Sequence, residues 1–345
     1  MSEMSRARTR WLLIAVVLAA LFWIGAVFAF GQRPAPSQVH VPGRAAEAGA
    51  VGVNLEGSEL TSADLAATLD RLSTAGIRWI RFTLPWDQIE PVRGQYAWAA
   101  FDRVFEALAT YPDVQPVVVL DRSPGWARAA SDADNPAAPP HERADFGGFA
   151  AAVATRYAAQ VRYYQIWHEP NIAPHWGARP ADPADYAGLL REAAVQIRAI
   201  DPDAQIALAA LAPTVEIGSA NLSDLAYLDG LYQQGARGWF DIVAAEPYGF
   251  SEPAPAAADA MALNFARVSL LHDVMVKHGD RSTSLWATAF GWNALPDAWA
   301  GRPSPWGQVT AAVQAQNTAE AFTIARTRWP WLGPLFWAAD CPPRP

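Results

Sequence analysis

The sequence predicts an α/β protein built as a closed (β/α)8 barrel. Three observations predict it. Eight short apolar runs alternate with longer stretches of helical periodicity, the pattern of repeated βα units. The chain has 345 residues, 52% of them hydrophobic, enough for one barrel of about 250 residues around a sizeable core. The first βα turn, Asn54-Leu55-Glu56-Gly57-Ser58, lacks the glycine-rich phosphate turn that an open doubly wound sheet usually carries there.

Taken in order, residues 1–10 form a basic N-terminus containing Arg6, Arg8 and Arg10. Trp11 to Phe30 is an uncharged apolar run of 20 residues, the length of a bilayer-spanning helix. The next basic residue is Arg33, so the positive-inside rule places 1–10 in the cytoplasm and the rest outside. A cleaved signal peptide is the competing reading. Its apolar region runs about 7–15 residues and ends in a small-x-small site, whereas this run ends Ala-Val-Phe-Ala-Phe. The expectation is therefore a transmembrane signal anchor over 11–30, a membrane partner through that helix, and an extracytoplasmic barrel. Residues 31–49, with Pro34, Pro36, Pro42 and Gly43, read as a linker.

Residues 50–345 carry the barrel. Its strand candidates are Ala50–Leu55, Trp79–Thr83, Gln115–Leu120, Tyr163–Trp167, Gln205–Ala210, Asp241–Ala245, Ser284–Thr288 and Pro334–Ala338. Helical periodicity marks Ser62–Ala75, Trp98–Thr110, Phe146–Ala159 and Asp185–Ile200. A full barrel carries a helix after its eighth strand, so further chain or another element is expected to cover that strand.

Composition excludes several functions. A net charge of −8 argues against a nucleic-acid partner, which needs a basic stripe. Cys341 is the only cysteine, so no intrachain disulfide forms. The six histidines show no recognised zinc spacing, and no phosphate loop is present, so neither metal nor cofactor is expected. Sixteen tryptophans exceed what a core needs and suggest platforms for the flat apolar faces of sugar rings.

Barrel chemistry sits at the C-terminal ends of strands. The fourth strand candidate runs Tyr163-Tyr164-Gln165-Ile166-Trp167 and continues His168-Glu169-Pro170-Asn171. Alternation places Gln165, Trp167 and Glu169 on one face, and Pro170 ends the strand because it lacks a donor. Glu169 then points to the barrel axis at the rim. A carboxylate desolvated among aromatics has a raised pKa and suits a general acid. His175 and Trp176 follow in the next loop, placed to form a rim, with structural packing an equal alternative for His175.

Trp167-His168-Glu169-Pro170-Asn171 resembles the Trp-Asn-Glu-Pro-Asn strand of clan A retaining glycoside hydrolases, especially those near families 5 and 39, which are TIM barrels. Trp79-Ile80-Arg81-Phe82, Pro85 to Pro91, and Gly94-Gln95-Tyr96-Ala97-Trp98 are similar to the second βα unit of that clan. Glu246-Pro247-Tyr248-Gly249-Phe250 and Thr288-Ala289-Phe290-Gly291-Trp292 are similar to its sixth and seventh strand ends. The resemblance implies action on O-glycosidic bonds of a carbohydrate, with Glu169 as general acid/base and no cofactor.

Three positions depart from the clan pattern. His168 replaces the Asn that binds a sugar hydroxyl, and can still donate or accept. Glu246 replaces a His. Ala289 stands where the clan carries the nucleophilic Glu, and alanine cannot attack an anomeric carbon. Double displacement is therefore compromised, and a non-catalytic carbohydrate-binding protein of the cell envelope is the alternative. Glu246, Asp121 and Asp340 are candidates for a replacement carboxylate; a substrate-hydroxyl contact is the favoured role for Glu246, and the alternatives are pairing with a nearby Arg for Asp121 and solvation for Asp340. A buried Arg81 needs an anionic partner, with Glu246 or Glu169 as candidates. Tyr248 is expected to meet substrate. Trp126, Trp176, Trp292, Trp306 and Trp337 lie at or just after strand ends, as sugar platforms or as packing.

Overall fold

A computed structural model describes residues 47–338, apart from 61–63, 297–298, 302–303 and 305. The expected basic terminus, the Trp11–Phe30 anchor, most of the linker, Asp340 and Cys341 lie outside the described residues. Among the described residues no helix is long and apolar enough to cross a membrane.

Eight parallel strands pair in chain order and close on themselves. They are β1 (Val51–Asn54), β2 (Trp79–Pro85), β3 (Gln115–Asp121), β4 (Tyr163–Ile166), β5 (Gln205–Ala207), β6 (Ile242–Ala245), β7 (Ser284–Phe290) and β8 (Leu332–Trp337). β8 closes the ring against β1, with Gly52 opposite Phe336. Gly52 is required there, because a β-carbon would stand 2.6 Å from the Phe336 ring.

Side chains fill the barrel in layers, as the period of two demands. The floor is aromatic: Trp79, Tyr163, Trp286 and Phe336 cluster with Val117, Ala207 and Ile242. Trp79 meets Tyr163 and Trp286 edge-on, with centroids 5.1 Å apart in each pair. The next layer is polar. Arg81 donates to Gln165 Oε1 at 2.9 Å and to Asn54 Oδ1 at 2.7 Å. Asn54 in turn donates to the carbonyls of Thr288 and Trp337. This network ties β1, β2, β4, β7 and β8 together beneath the C-terminal mouth.

The outer layer is helical. α1 (Leu65–Thr74), α2 (Ala99–Leu108), α3 (Arg143–Tyr157) and α4 (Pro183–Ile200) lie within a few residues of the periodic stretches. Phe146 and Phe149 of α3 bury against Trp86. α4 starts where Asp182 accepts from the Ala184 N–H, with Pro183 at the first turn where no donor is needed. α5 (Asp224–Gln233), α6 (Val268–Lys277) and α7 (Ala311–Arg328) complete the ring.

Candidate active site

β4 stops at Ile166, one residue short of the expected end, because Trp167 turns to a left-handed φ of 70°. This corrects the expected alternation. Gln165 faces the barrel interior, but Trp167 points outward, packed edge-on against Phe146 and Trp176. Glu169 is left-handed as well, with φ 47°, and its N–H donates to the Ala210 carbonyl at 2.9 Å. Bulky residues rarely adopt this conformation, which costs roughly 1–3 kcal/mol each and persists only where surroundings enforce it. Here the Trp167 indole donates to the His175 carbonyl at 3.1 Å, holding the following loop over the strand end. Asn171 fastens the same loop to the β5 side through the backbone of Ala212 and Leu222.

The turn and the loop bring three polar side chains together. His175 Nε2 lies 3.2 Å from Glu169 Oε2, and His168 Nε2 lies 3.9 Å from the same oxygen. His168 Nδ1 faces Glu246 Oε1 at 3.5 Å. Glu246 follows β6 and is 2% exposed. Its carboxyl is within hydrogen-bonding reach of Glu169, and no other donor of the described residues serves either of its oxygens. Burial and the Glu169 charge push Glu246 well above the usual carboxylate range, with Arg81 opposing. Burial also pushes Glu169 up, but His168, His175, the hydrogen bond with Glu246 and Arg81 together outweigh it and hold Glu169 low. The expected direction for Glu169 is thus reversed, because its neighbours, His168 and His175 before Glu246 and Arg81, favour its charged form more than burial opposes it. Burial pushes His168 down to about 4, so its imidazole is neutral at neutral pH.

Arg81 is buried beneath this cluster and bonds directly to neutral amides, forming no ion pair among the described residues. Burial pulls it below its ordinary value, and the charges of Glu246, Tyr248, Asp121 and Glu169 oppose that pull. The anionic partner expected from the sequence acts at a distance, not by contact.

A cavity of about 960 Å³ opens above the network. Arg81, Asp121, His168, His175, Glu246, Tyr248 and Ala289 all line it. The structure thus brings Glu169, Glu246, His168, Arg81, Tyr248 and Ala289 to one mouth. The tryptophans sit elsewhere. Trp176 and Trp292 are each 1% exposed and packed into the core. Trp126 donates to the Glu90 carbonyl beneath the Arg93 guanidinium, and Trp337 packs edge-on against Phe290. None of the four lines the cavity, and Trp306 stands 42% exposed away from it. His175 is the site neighbour that the sequence does not mark out. Its approach to Glu169 depends on the Trp167 turn, which strand periodicity does not encode.

The spacing constrains the chemistry. Double displacement needs two carboxyls about 5–5.5 Å apart with the anomeric carbon between them. Glu246 is the carboxyl neighbour of Glu169 at the mouth, and it follows β6, not the β7 end where the resemblance would place a nucleophile. The methyl group of Ala289 supplies no second carboxyl on the β7 side.

Searches against family models and curated proteins give no match. Solved structures do. A family 39 glycoside hydrolase from the gut symbiont Bacteroides cellulosilyticus WH2 superposes with TM-score 0.61 at 19% identity, over 85% of this chain and 56% of that one. A family 39 β-xylosidase from Caulobacter crescentus gives 0.59 at 18%, over 86% and 64%. A family 1 β-glucosidase from Thermotoga maritima gives 0.53 at 14%, over 81% and 77%. The barrel is the one on which clan A glycoside hydrolases are built. The chain spans between half and two thirds of the length of the two family 39 structures. The resemblance noted in the sequence thus extends to the fold.

Proposed function

We propose that the protein acts on O-glycosidic bonds of an oligo- or polysaccharide, with Glu169 as the acid/base group. One observation carries this reading: the Glu169–Glu246 pair stands over Arg81 at the C-terminal mouth of the barrel, beside a cavity large enough for sugar rings. Barrel enzymes keep their reacting groups at that mouth. The pair holds one proton at low cost, and Glu169 delivers it to the leaving oxygen while Glu246 serves as its reservoir. Ala289 leaves room for water where a nucleophilic carboxylate is absent: the water oxygen bonds to the anomeric carbon as the bond to the leaving oxygen breaks, and the proton it sheds returns through solvent to reload the Glu169–Glu246 pair, so no covalent glycosyl-enzyme forms. The structural neighbours named as a β-xylosidase and a β-glucosidase support a carbohydrate ligand. Ala289 itself favours a second reading, a barrel that binds carbohydrate without cleaving it.

A panel of aryl glycosides, assayed with and without azide, separates the two. Azide fits the space beside Ala289 and attacks the anomeric carbon there. The expected outcome is slow turnover that azide accelerates and that Glu169→Gln lowers by about 10²–10⁴-fold, the usual contribution of general acid–base catalysis. Binding of glycans with no turnover in either condition establishes the second reading instead.

A further inference from the structure

Glu169 is also the meeting point of two imidazoles. The Nε2 atoms of His168 and His175 converge on one oxygen of Glu169, at 3.9 and 3.2 Å. One ligand atom from each of the three residues lies within 4.8 Å of the other two. The two rings stand at 75° to one another, so they approach from different directions. Bonds of about 2.0–2.2 Å to a tetrahedral zinc place its ligand atoms about 3.3–3.6 Å apart. The two observed spacings bracket that value.

The surroundings supply a second, independent observation. A metal-bound imidazole ordinarily gives its other ring N–H to a carboxylate, which fixes its tautomer and orientation. His168 has this arrangement ready: Nδ1 faces the buried Glu246 at 3.5 Å. Neither His168 Nδ1 nor either Glu246 oxygen has another donor or acceptor of the protein at hydrogen-bond distance, apart from the proton shared with Glu169. His168 and His175 both line the cavity, which leaves an open side for water or a ligand. Three protein ligands with one open position is the pattern of a zinc site that does chemistry, not of a closed structural one.

We propose that His168, Glu169 and His175 bind a divalent transition metal, zinc by the fit of two imidazoles and one carboxylate, with Glu246 orienting His168. The site lies outside the recognised zinc spacings because its ligands come from a strand end and the loop beyond it, not from one face of a helix. A metal here takes the lone pair of Glu169, so metal occupancy and proton transfer by Glu169 exclude one another. The inference does not depend on the glycosidase reading, since binding is measured without turnover.

The test uses the full chain, purified without a histidine tag and stripped with chelator. It is titrated with Zn2+ by calorimetry and with Co2+ by visible absorption. One equivalent bound, with Co2+ bands of a four- or five-coordinate nitrogen/oxygen site, is expected. Glu246→Gln should weaken binding about 10–100-fold, the usual effect of an outer partner, and His175→Ala or Glu169→Gln by more. His175 has a 31% exposed side chain, so its removal leaves the packing intact, and circular dichroism checks that the variants remain folded. No binding at millimolar metal overturns the proposal. So does binding that is unchanged in a folded His175→Ala variant, because the metal then sits at another histidine.

Discussion

Asp121 shows how much of this site is decided by single residues. It ends β3, buried at the cavity wall, and one of its oxygens has no hydrogen-bond partner. The sequence offered a pairing with a nearby Arg, but Arg122 turns at φ 69° and pairs with Asp87 at 3.3 Å instead. Burial raises Asp121 from 3.8 to about 7; the Arg122 backbone, Arg122 and Arg81 pull it down, and Asp87 pushes it up. The unfolded chain releases this proton near 3.8 and the folded chain only near 7. Below the lower value both states are protonated and the group costs nothing. As pH rises between the two, the unfolded state ionises first and the folded state loses stability. Above the upper value the full penalty applies, on the order of a few kcal/mol. Asp121→Asn should therefore flatten this decline and be the more stable protein at pH 8. Denaturant unfolding at pH 4.5 and pH 8 measures it, and parallel profiles for variant and parent would assign the penalty to another group. Glu169, Arg81 and Glu246 were legible in the sequence as residue types at strand ends. The coupling between the two carboxyls was not, because it depends on how the ends of β4 and β6 turn toward each other past β5.

At the scale of elements, strand starts were easier to read than strand ends. Apolar runs mark where each strand begins, but the ends are set by backbone turns that periodicity does not record. Arg122, Trp167, Glu169 and Phe250, the non-glycine residues with positive φ among the described residues, all follow the C-terminal ends of β3, β4 or β6. Local strain is thus gathered around the mouth, where function tends to hold it. The β6 and β7 ends are joined by a close approach. A β-carbon on Gly249 would stand 1.9 Å from the Trp292 ring. Trp292 cannot easily yield: its indole donates to the Glu252 carbonyl at 2.6 Å, and the Gln314 amide donates to the Trp292 carbonyl. Trp292, read from the sequence as a possible sugar platform, instead packs against Gly249 and locks two strand ends. Gly249→Ala should destabilise the barrel by about 1–3 kcal/mol, the range of overpacked cores. Gly148→Ala, on α3 with nothing near its β-carbon, is the control and should be neutral or stabilising, since alanine favours helix. Equal effects of the two in thermal unfolding would show that the Trp292 contact is not responsible.

At the scale of the whole chain, the surplus of tryptophan is largely explained by the core. Trp79 and Trp286 build the barrel floor, and Trp86, Trp167, Trp176 and Trp292 are among the largest fully buried side chains. Composition alone could not separate these from sugar platforms, because burial follows from strand facing and not from residue type. Net charge of −8 and the polar mouth are compatible with a barrel exposed to solvent. Its placement in the cell rests on residues 1–30. We propose that the uncharged run of 20 residues after Arg6, Arg8 and Arg10 inserts with its N-terminus inside, because a basic flank favours the cytoplasmic side. Leu, Ile, Val and Phe at the centre of such a run each favour insertion by about 0.3–0.6 kcal/mol. We therefore expect the full chain to fractionate with membranes, to resist extraction by high salt or alkali, and to be cut by protease added outside spheroplasts. Replacing Arg6, Arg8 and Arg10 with Glu should weaken or invert that orientation and protect the barrel. If the chain is recovered shortened at its N-terminus in the soluble extracytoplasmic fraction, the run is a cleaved signal. If protease added outside never reaches the barrel, the topology drawn from the arginines is wrong.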